Sequence, residues 1–478
     1  MKVLMFGWEF PPHISGGLGT ACYGLTKSLS EFEDIEILFV VPKLYGDEDK
    51  SVANLINAGD ITVKQKKTHI KKLFKKEEYN SEEVDYSYEE KRYKKIFRDI
   101  EFIEVKSKLQ PYLSEEEFNK FLKEKRIEST NLKIDKTGKL FYEKNGVIKE
   151  IKFEDTEEIF TETEGKYNFS GKYGNNLLQE VYYYAQVAAV IAKENDFDII
   201  HAHDWLTNAA GIAAKEISGK PLVIHVHATE FDRGGYDRTD SRVYALEKVG
   251  MEAADKIITV SNLTKNTVIN QYGINPEKVQ TVYNAVEPQD AEKKIYTKNV
   301  KEKTVTFLGR ITYQKGPAYF INAAYKVLQK TDDVRFVMAG NGDMFHEMIR
   351  YAAKLGISDK FHFTDFLKGD DVNRMFSISD VYVMPSVSEP FGISPLEAMR
   401  ANVPVIISKQ SGVAEVIKNA VKIDYWDEDA MADAIYAIIK YDGLSKMFVK
   451  ESKKEVDEMK WDKPAREVRE IYKSLLRL

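Results

Sequence analysis

Two cations five positions apart, Arg310 and Lys315, lie in the run Phe307-Leu308-Gly309-Arg310-Ile311-Thr312-Tyr313-Gln314-Lys315-Gly316. Val305, Phe307 and Leu308 are apolar and β-prone, Gly309 breaks the strand they predict, and Gly316-Pro317 opens a helix. A loop between a strand end and a helix start is a natural anion site. The chain carries 70 Lys+Arg against 76 Asp+Glu, so these cations are local chemistry and not part of a basic surface. The plain alternative is two solvated surface side chains. A second stretch runs from Met384 to Met399. Glu389 stands at the mouth of a Pro/Gly turn, and Glu397 follows in a helix that Ser394 can cap and Pro395 can start. Backbone N–H groups around Gly392, Ile393 and Ser394 suit a phosphate, while the two carboxylates accept hydrogen bonds from hydroxyls. Cations for phosphate together with carboxylates for hydroxyls are what a sugar nucleotide needs.

Other candidates come from the first half of the chain. Gly16-Gly17 follows a short strand and precedes a helix, so the backbone there can approach a ligand closely; a tight turn is the plain alternative. His203 ends the strand Asp198 to Ala202, at the sheet edge where open α/β folds place ligands. His201, His203, His225 and His227 have H-x-H spacing. Read as alternating strand positions without a cysteine set, they predict no zinc site. Cys22 is the single cysteine; its apolar neighbours Ala21, Leu25 and Leu29 predict a buried thiol, and one cysteine excludes an internal disulfide.

Arg310 with Lys315, and Glu389 followed eight positions later by Glu397, resemble the donor site of retaining GT-B glycosyltransferases. The His203-Asp204-Trp205 triplet and the Gly16-Gly17 loop are similar to those of the bacterial and archaeal glycogen and starch synthases. The likeness covers most of the chain outside roughly 60–175. It implies a fold of two Rossmann-like doubly wound domains facing a cleft. It also implies a donor such as ADP-glucose or UDP-glucose, an α-1,4-glucan acceptor and retention at the anomeric carbon. By that likeness His203, Arg310, Lys315 and Glu389 are catalytic. Gly16, Gly17, Gly340, Phe366, Phe391, Gly392, Ile393, Ser394 and Glu397 hold the substrate, with Phe366 placed to stack on the base; core packing is the alternative for that ring. The synthases commonly carry Lys before the glycines, where this chain has Ser15. Retention can use a carboxylate nucleophile, Glu389 or Asp204, or front-face attack beside the departing diphosphate. Front-face attack is favoured because the carboxylates already have hydroxyl-holding duties. Arg310 and Lys315 would take the charge that a divalent metal takes elsewhere, so no cofactor or metal is expected. Two glutamates alone would fit a glycosidase, but the cation pair argues against it.

These residues need a scaffold of strands alternating with helices. The 478 residues suggest two or three domains, and 43% hydrophobic residues allow large cores. The pattern predicts a first doubly wound domain over 1–287, a second over 288–460 and a C-terminal helix over 461–478 that crosses back to the first. The first carries a Lys-, Glu- and Tyr-rich insert at about 60–175, including a hairpin over Lys139 to Phe153 around Asn145-Gly146. Asp290 to Lys303 is poorly periodic and reads as a linker. The net charge of −6 argues against nucleic acid or an anionic membrane as partner. The longest nearly apolar run, Val181 to Ala192, is too short to span a bilayer. A lone cysteine and no signal-peptide core predict a cytoplasmic protein, with oligomerisation left open. A carbohydrate-binding scaffold without catalysis, or a transferase for a small or lipid-linked acceptor, are the other readings.

Overall fold

The computed structural model describes residues 1–14, 16–74, 77–86, 132–134, 140–144, 147–150, 157–174, 176–235, 239–287, 298, 300–367 and 369–478. Ser15, the Asn145-Gly146 turn and most of the linker expected after Asp290 lie outside the described residues. The chain divides into two compact units, Met1–Ala58 with Phe169–Leu478, and Gly59–Asn168.

The larger unit opens with β1 (Lys2–Phe6), α1 (Gly17–Ser30), β2 (Glu36–Val41) and β3 (Asn54–Asn57). The smaller unit holds two antiparallel sheets. β4 (Val63–Phe74) is central in one, paired with β5 (Glu77–Tyr86) on one side; β6 (Leu132–Ile134), β7 (Leu140–Lys144) and β8 (Val147–Glu150) form the other; and β9 (Glu157–Gly165) closes the first sheet on the far side of β4. The hairpin expected around 145–146 is present as the antiparallel pair β7–β8.

The larger unit resumes with α2 (Leu177–Glu194), β10 (Ile199–His203), α3 (Trp205–Ser218), β11 (Leu222–Val226), α4 (Glu230–Gly234), α5 (Ser241–Ala253), β12 (Lys256–Thr259), α6 (Asn262–Tyr272) and β13 (Val279–Thr281). Its first sheet is wholly parallel in the order β13-β12-β11-β10-β1-β2-β3. Strands such as Ile199–His203 and Leu222–Val226 are buried throughout, as expected where helices cover both faces.

A second parallel sheet follows: β14 (Lys303–Leu308), α7 (Pro317–Leu328), β15 (Val334–Ala339), α8 (Phe345–Lys354), β16 (Phe361–Thr364), α9 (Asp370–Ile378), β17 (Val381–Met384), α10 (Ser394–Arg400), β18 (Val405–Ser408), β19 (Val421–Ile423) and α11 (Glu428–Lys440). Its order is β16-β15-β14-β17-β18-β19. Both sheets reverse direction of growth beside their first strand, between β1 and β10 and between β14 and β17. Such switch points open crevices at the carboxyl ends of the strands. After α12 (Asp442–Asp457), the last helix α13 (Asp462–Leu476) returns to the first sheet: Trp461, Val468, Ile471 and Tyr472 share a core with Val3, Leu25 and Phe39.

Candidate functional site

The loops after β14 and β17 meet at the second switch point. Gly316 has φ 65°, and a Cβ there would sit 2.1 Å from the Pro385 carbonyl oxygen, so only glycine lets the two loops pack. The Val387 N–H donates to the Gln314 carbonyl (2.8 Å), and Gln314 Nε2 donates to the Ser388 carbonyl (3.1 Å). This clamp brings Lys315 onto Glu389, in an ion pair that the sequence places 74 residues apart. Glu389 is fixed further by its own N–H on the Gln410 carbonyl, by Gly412 N–H on its carbonyl, and by the Ser386 hydroxyl donating to Oε2 at 3.1 Å. A buried carboxylate so held needs its cation; separating the two would leave an unpaired charge in a poorly hydrated place.

Arg310 is exposed and lines a cavity of about 300 Å³ with Thr312, Tyr313, Gln314 and Asp343 from the second sheet's loops and Arg233 and Gly234 from the first's. Lys315 and Glu389 are not among its lining residues. The two halves are also joined by the Ser388 hydroxyl, which donates to Asp232 Oδ1 at 2.6 Å. Asp232 closes a capping box with Thr229 at the start of α4. Arg233 donates from Nε to Glu230 and from Nη2 to Glu247 at 2.6 Å. Arg233 lies in the polar stretch Thr229 to Gly235, which the sequence already places on the ligand rim, whereas Asp343 escaped sequence reading as a site residue. The Thr229-x-x-Asp232 cap was the available signal for Arg233, because it fixes where the following arginine points.

Several expected residues sit differently from the sequence reading. Ser394 does not cap α10: it is the first helical residue, the cap position is Ile393, and the Ser394 Oγ accepts from the Tyr382 hydroxyl at 3.0 Å. Phe391 is 2% exposed in the core beside Tyr283, so its ring is packing and not a ligand wall. Gly340 is buried with φ 133°; a Cβ there would lie 1.9 Å from the Gly309 carbonyl oxygen, and its N–H already meets the Thr364 carbonyl. Gly340 therefore lets the Arg310 loop pack and offers no free donor. Ile393 packs against the cores of both sheets. Gly392, with φ 97°, lies against the Glu389 side chain. Glu397 is half-buried in the first turn of α10, and burial holds its carboxyl above the usual range while Arg400 pulls it back. Phe366 is 45% exposed on the loop after β16, which excludes the core alternative for it.

At the first switch point, α1 starts at Gly17, so the pair Gly16-Gly17 forms the helix start itself, and both glycines are exposed. His203 ends β10 and is 1% exposed. Its neighbour Asp204 has φ 64°, a strained conformation for a residue with a Cβ, and its Oδ1 accepts from the N–H groups of His227 and Ala228, both at 3.3 Å. The H-x-H pairs correct the sequence reading: positions two apart on a strand face the same way. His201 and His203 stack at 4.3 Å, His225 and His227 at 4.4 Å, and the pairs pack together on one side of the sheet. Burial and neighbouring imidazoles push His201 down to about 3 and His203 well below the ordinary histidine range; burial alone takes His227 to about 3. All are neutral at physiological pH. The Tyr472 hydroxyl on α13 bonds His201 Nδ1 at 2.5 Å.

This arrangement has counterparts among known proteins. The family model for glycosyl transferases group 1 matches residues 288–455, and that for glycosyltransferase family 4 matches 156–290. An uncharacterized glycosyltransferase of Methanocaldococcus jannaschii is 34% identical over 295 residues, covering 58% of this chain and 75% of that protein. This chain is a glycosyltransferase. An alpha-maltose-1-phosphate synthase of Mycolicibacterium smegmatis is 27% identical over 312 residues, 58% of this glycosyltransferase and 79% of the relative. The catalytic domain of starch synthase IV from Arabidopsis thaliana, solved with ADP and acarbose, superposes with TM-score 0.61 at 15% identity over 100% of this chain and 99% of that one. Its likeness concerns the fold, which is GT-B: two parallel-sheet Rossmann-like domains. Among the described residues no helix of the glycosyltransferase is long and apolar enough to cross a membrane.

Proposed function

We propose that the glycosyltransferase moves glucose from ADP-glucose or UDP-glucose to the non-reducing end of an α-1,4-glucan, with retention. The observation that carries the donor reading is the Lys315–Glu389 pair at the second switch point, with Arg310 on the adjoining cavity. In this reading Lys315 and Arg310 take the charge growing on the leaving diphosphate, a role commonly filled by preorganised cations. Glu389 holds sugar hydroxyls, Glu397 the ribose, and His203 the hexose near the bond that breaks. Phe366 stacks on the base. Asp204 is engaged by two backbone N–H groups and Glu389 by Lys315 and Ser386, which favours front-face attack over a covalent glycosyl intermediate. The acceptor hydroxyl oxygen then bonds the anomeric carbon as the bond to the diphosphate oxygen breaks. The hydroxyl proton passes to that departing oxygen.

The glucan rests on the likeness of the His203-Asp204-Trp205 and Gly16-Gly17 motifs to the synthases. A second reading, transfer to a phosphorylated sugar, is favoured by Arg233 and Arg310 lining one cavity and by the alpha-maltose-1-phosphate synthase relative. The test is incubation with each donor and with glycogen, maltooligosaccharides or glucose 1-phosphate, followed by chain-length analysis and NMR. Chain growth through α-1,4 links is the expected result. A disaccharide phosphate with no chain growth selects the second reading. Release of neither nucleotide overturns both and returns the scaffold reading, and a β-linked product overturns retention.

A further inference from the structure

The Glu389 turn is held from behind by the segment that follows β18. The Glu389 N–H donates to the Gln410 carbonyl (3.0 Å), the Gly412 N–H to the Glu389 carbonyl (2.9 Å) and the Val413 N–H to the Phe391 carbonyl (2.8 Å), so Glu389 and Ser411 pair as a short parallel bridge. The Glu389 backbone is therefore coupled to residues 410–413. Contact with the first sheet's half begins at the same place. A Cβ on Gly412 would lie 2.2 Å from the Pro390 carbonyl oxygen and 2.5 Å from Ser261 Cβ, so these three segments meet closely only because the residue is glycine. Gly412 also opens a 3₁₀ turn that ends at Glu415.

Glu415 reaches across to the start of α6. Its Oε1 accepts from the Leu263 N–H at 2.7 Å, and its Oε2 accepts from the Asn262 N–H and the Tyr283 hydroxyl, both at 2.9 Å. A helix start leaves its first N–H groups without intrahelical partners. In α6 the Ser261 side chain accepts from the Thr264 N–H at 3.1 Å, and the two N–H groups before it are taken by a carboxylate from the other half. That end of a helix favours negative charge. Asn262 Nδ2 donates to the Tyr283 hydroxyl at 2.7 Å, and Asn262 Oδ1 accepts from the Thr281 hydroxyl at 2.9 Å, which extends the joint to the end of β13.

We infer that Glu415 is a positioning residue for sugar transfer, setting Glu389 of the second sheet's half against His203 of the first. Groups that hold one hexose from two sheets need a fixed joint between those sheets. One continuous piece of chain, 410–415, is bonded to the Glu389 backbone at one end and to α6 at the other. Glu415 acts through that piece and not on the sugar itself. The inference rests on the reading of Glu389 and His203 given above; the joint does not.

The experiment compares the full chain with Glu415→Ala and Glu415→Gln. Amide hydrogen exchange read by mass spectrometry should quicken in Glu415→Ala at 262–263 and also at 389 and 412–413. The kcat for transfer should fall about tenfold or more, because small misplacements of holding groups are costly. Affinity for ADP or UDP alone should stay within about threefold, since the groups proposed for diphosphate, ribose and base all lie in the second sheet's half. Glu415→Gln keeps an accepting oxygen and should recover part of both effects. Faster exchange confined to the start of α6, or an unchanged kcat, overturns the assignment. So does an equal loss of kcat and nucleotide affinity, which marks general loosening. Glu389→Ala, assayed alongside, separates the two levels: normal turnover in that variant overturns the role given to Glu389, and the exchange pattern then decides the joint alone. Should Glu415→Ala fail to fold, Glu415→Gln carries the same comparisons.

Discussion

At the scale of residues, the donor site pairs Lys315 with Glu389 in a position that is one-fifth exposed on the lysine side and less than one-tenth on the glutamate side. In the proposed reaction Lys315 exchanges part of that partnership for the diphosphate, and Arg310 joins from the cavity wall. Lys315→Ala or Arg310→Ala should lower turnover on the order of 100-fold or more, the size of effect seen when one preorganised charge donor is removed. Initial rates with each donor test this, and near-normal turnover in both variants would place the site elsewhere. Lys315→Ala should cost stability as well, because Glu389 is left buried beside only the Ser386 hydroxyl. Since two cations fill the electrostatic role, brief exposure to EDTA should leave the rate unchanged. An absolute need for added Mg²⁺ or Mn²⁺ in the same assay contradicts that assignment.

Among the elements, α4, α5 and α6 enclose a polar network that positions Arg233 on the cavity. Glu247 of α5 accepts from Arg233, from the Tyr272 hydroxyl of α6 and from the Glu230 N–H. Burial nonetheless holds its carboxyl up to about 7, with Arg233 and Tyr272 pulling it back. In the unfolded chain a glutamate titrates near about 4.3. Between those values the folded state carries the extra proton, so Glu247 removes stability as pH rises from about 4.3 through about 7. The effect is on the order of 3 kcal/mol across that window. Glu247→Gln cannot titrate, and denaturant unfolding at pH 5 and pH 8 should show a smaller difference than in the parent. An unchanged difference would mean that the carboxyl is not held up. The frame of the donor site was legible in the sequence: the strand that Val305, Phe307 and Leu308 predict ends at Leu308 before Gly309, and Pro317 opens the next helix as Gly316-Pro317 suggests. Long-range detail was not. That Gly340 is spent on the Gly309 carbonyl, or that Phe391 turns into the core, follows from loop packing that no local spacing records. The four histidines were visible as H-x-H pairs, but their stacking needed the pairing of His203 with His225 across β10 and β11.

The whole molecule confines its candidate chemistry to one of its two compact units. The residues proposed to hold the diphosphate, ribose and base follow Lys303, in the second parallel sheet and its loops, and His203 ends β10 of the first sheet, while Gly59–Asn168 forms a separate unit with antiparallel sheets. That separation predicts that the smaller unit is dispensable for holding a nucleotide. Its ends allow the test, because β4 and β9 are antiparallel neighbours with Val63 opposite Gly165 and Lys67 opposite Thr161. Paired strands lie about 4.8 Å apart, so a two-residue Asn-Gly turn can replace everything between Lys67 and Thr161 without stretching either strand. The shortened chain should fold, and its affinity for UDP or ADP, whichever the parent prefers, should stay within about threefold, a change of ~0.7 kcal/mol. Extension of long glucans should fall more than extension of maltotriose, because the removed sequence over 86–93 is rich in tyrosine, a side chain on which sugars can stack. Titration calorimetry with the nucleotide and product sizing with both acceptors supply the two readouts. Loss of nucleotide binding in a shortened chain whose melting remains cooperative would show that the smaller unit shapes the donor site. Equal loss for short and long acceptors would remove the sugar-stacking role while leaving the donor assignment intact.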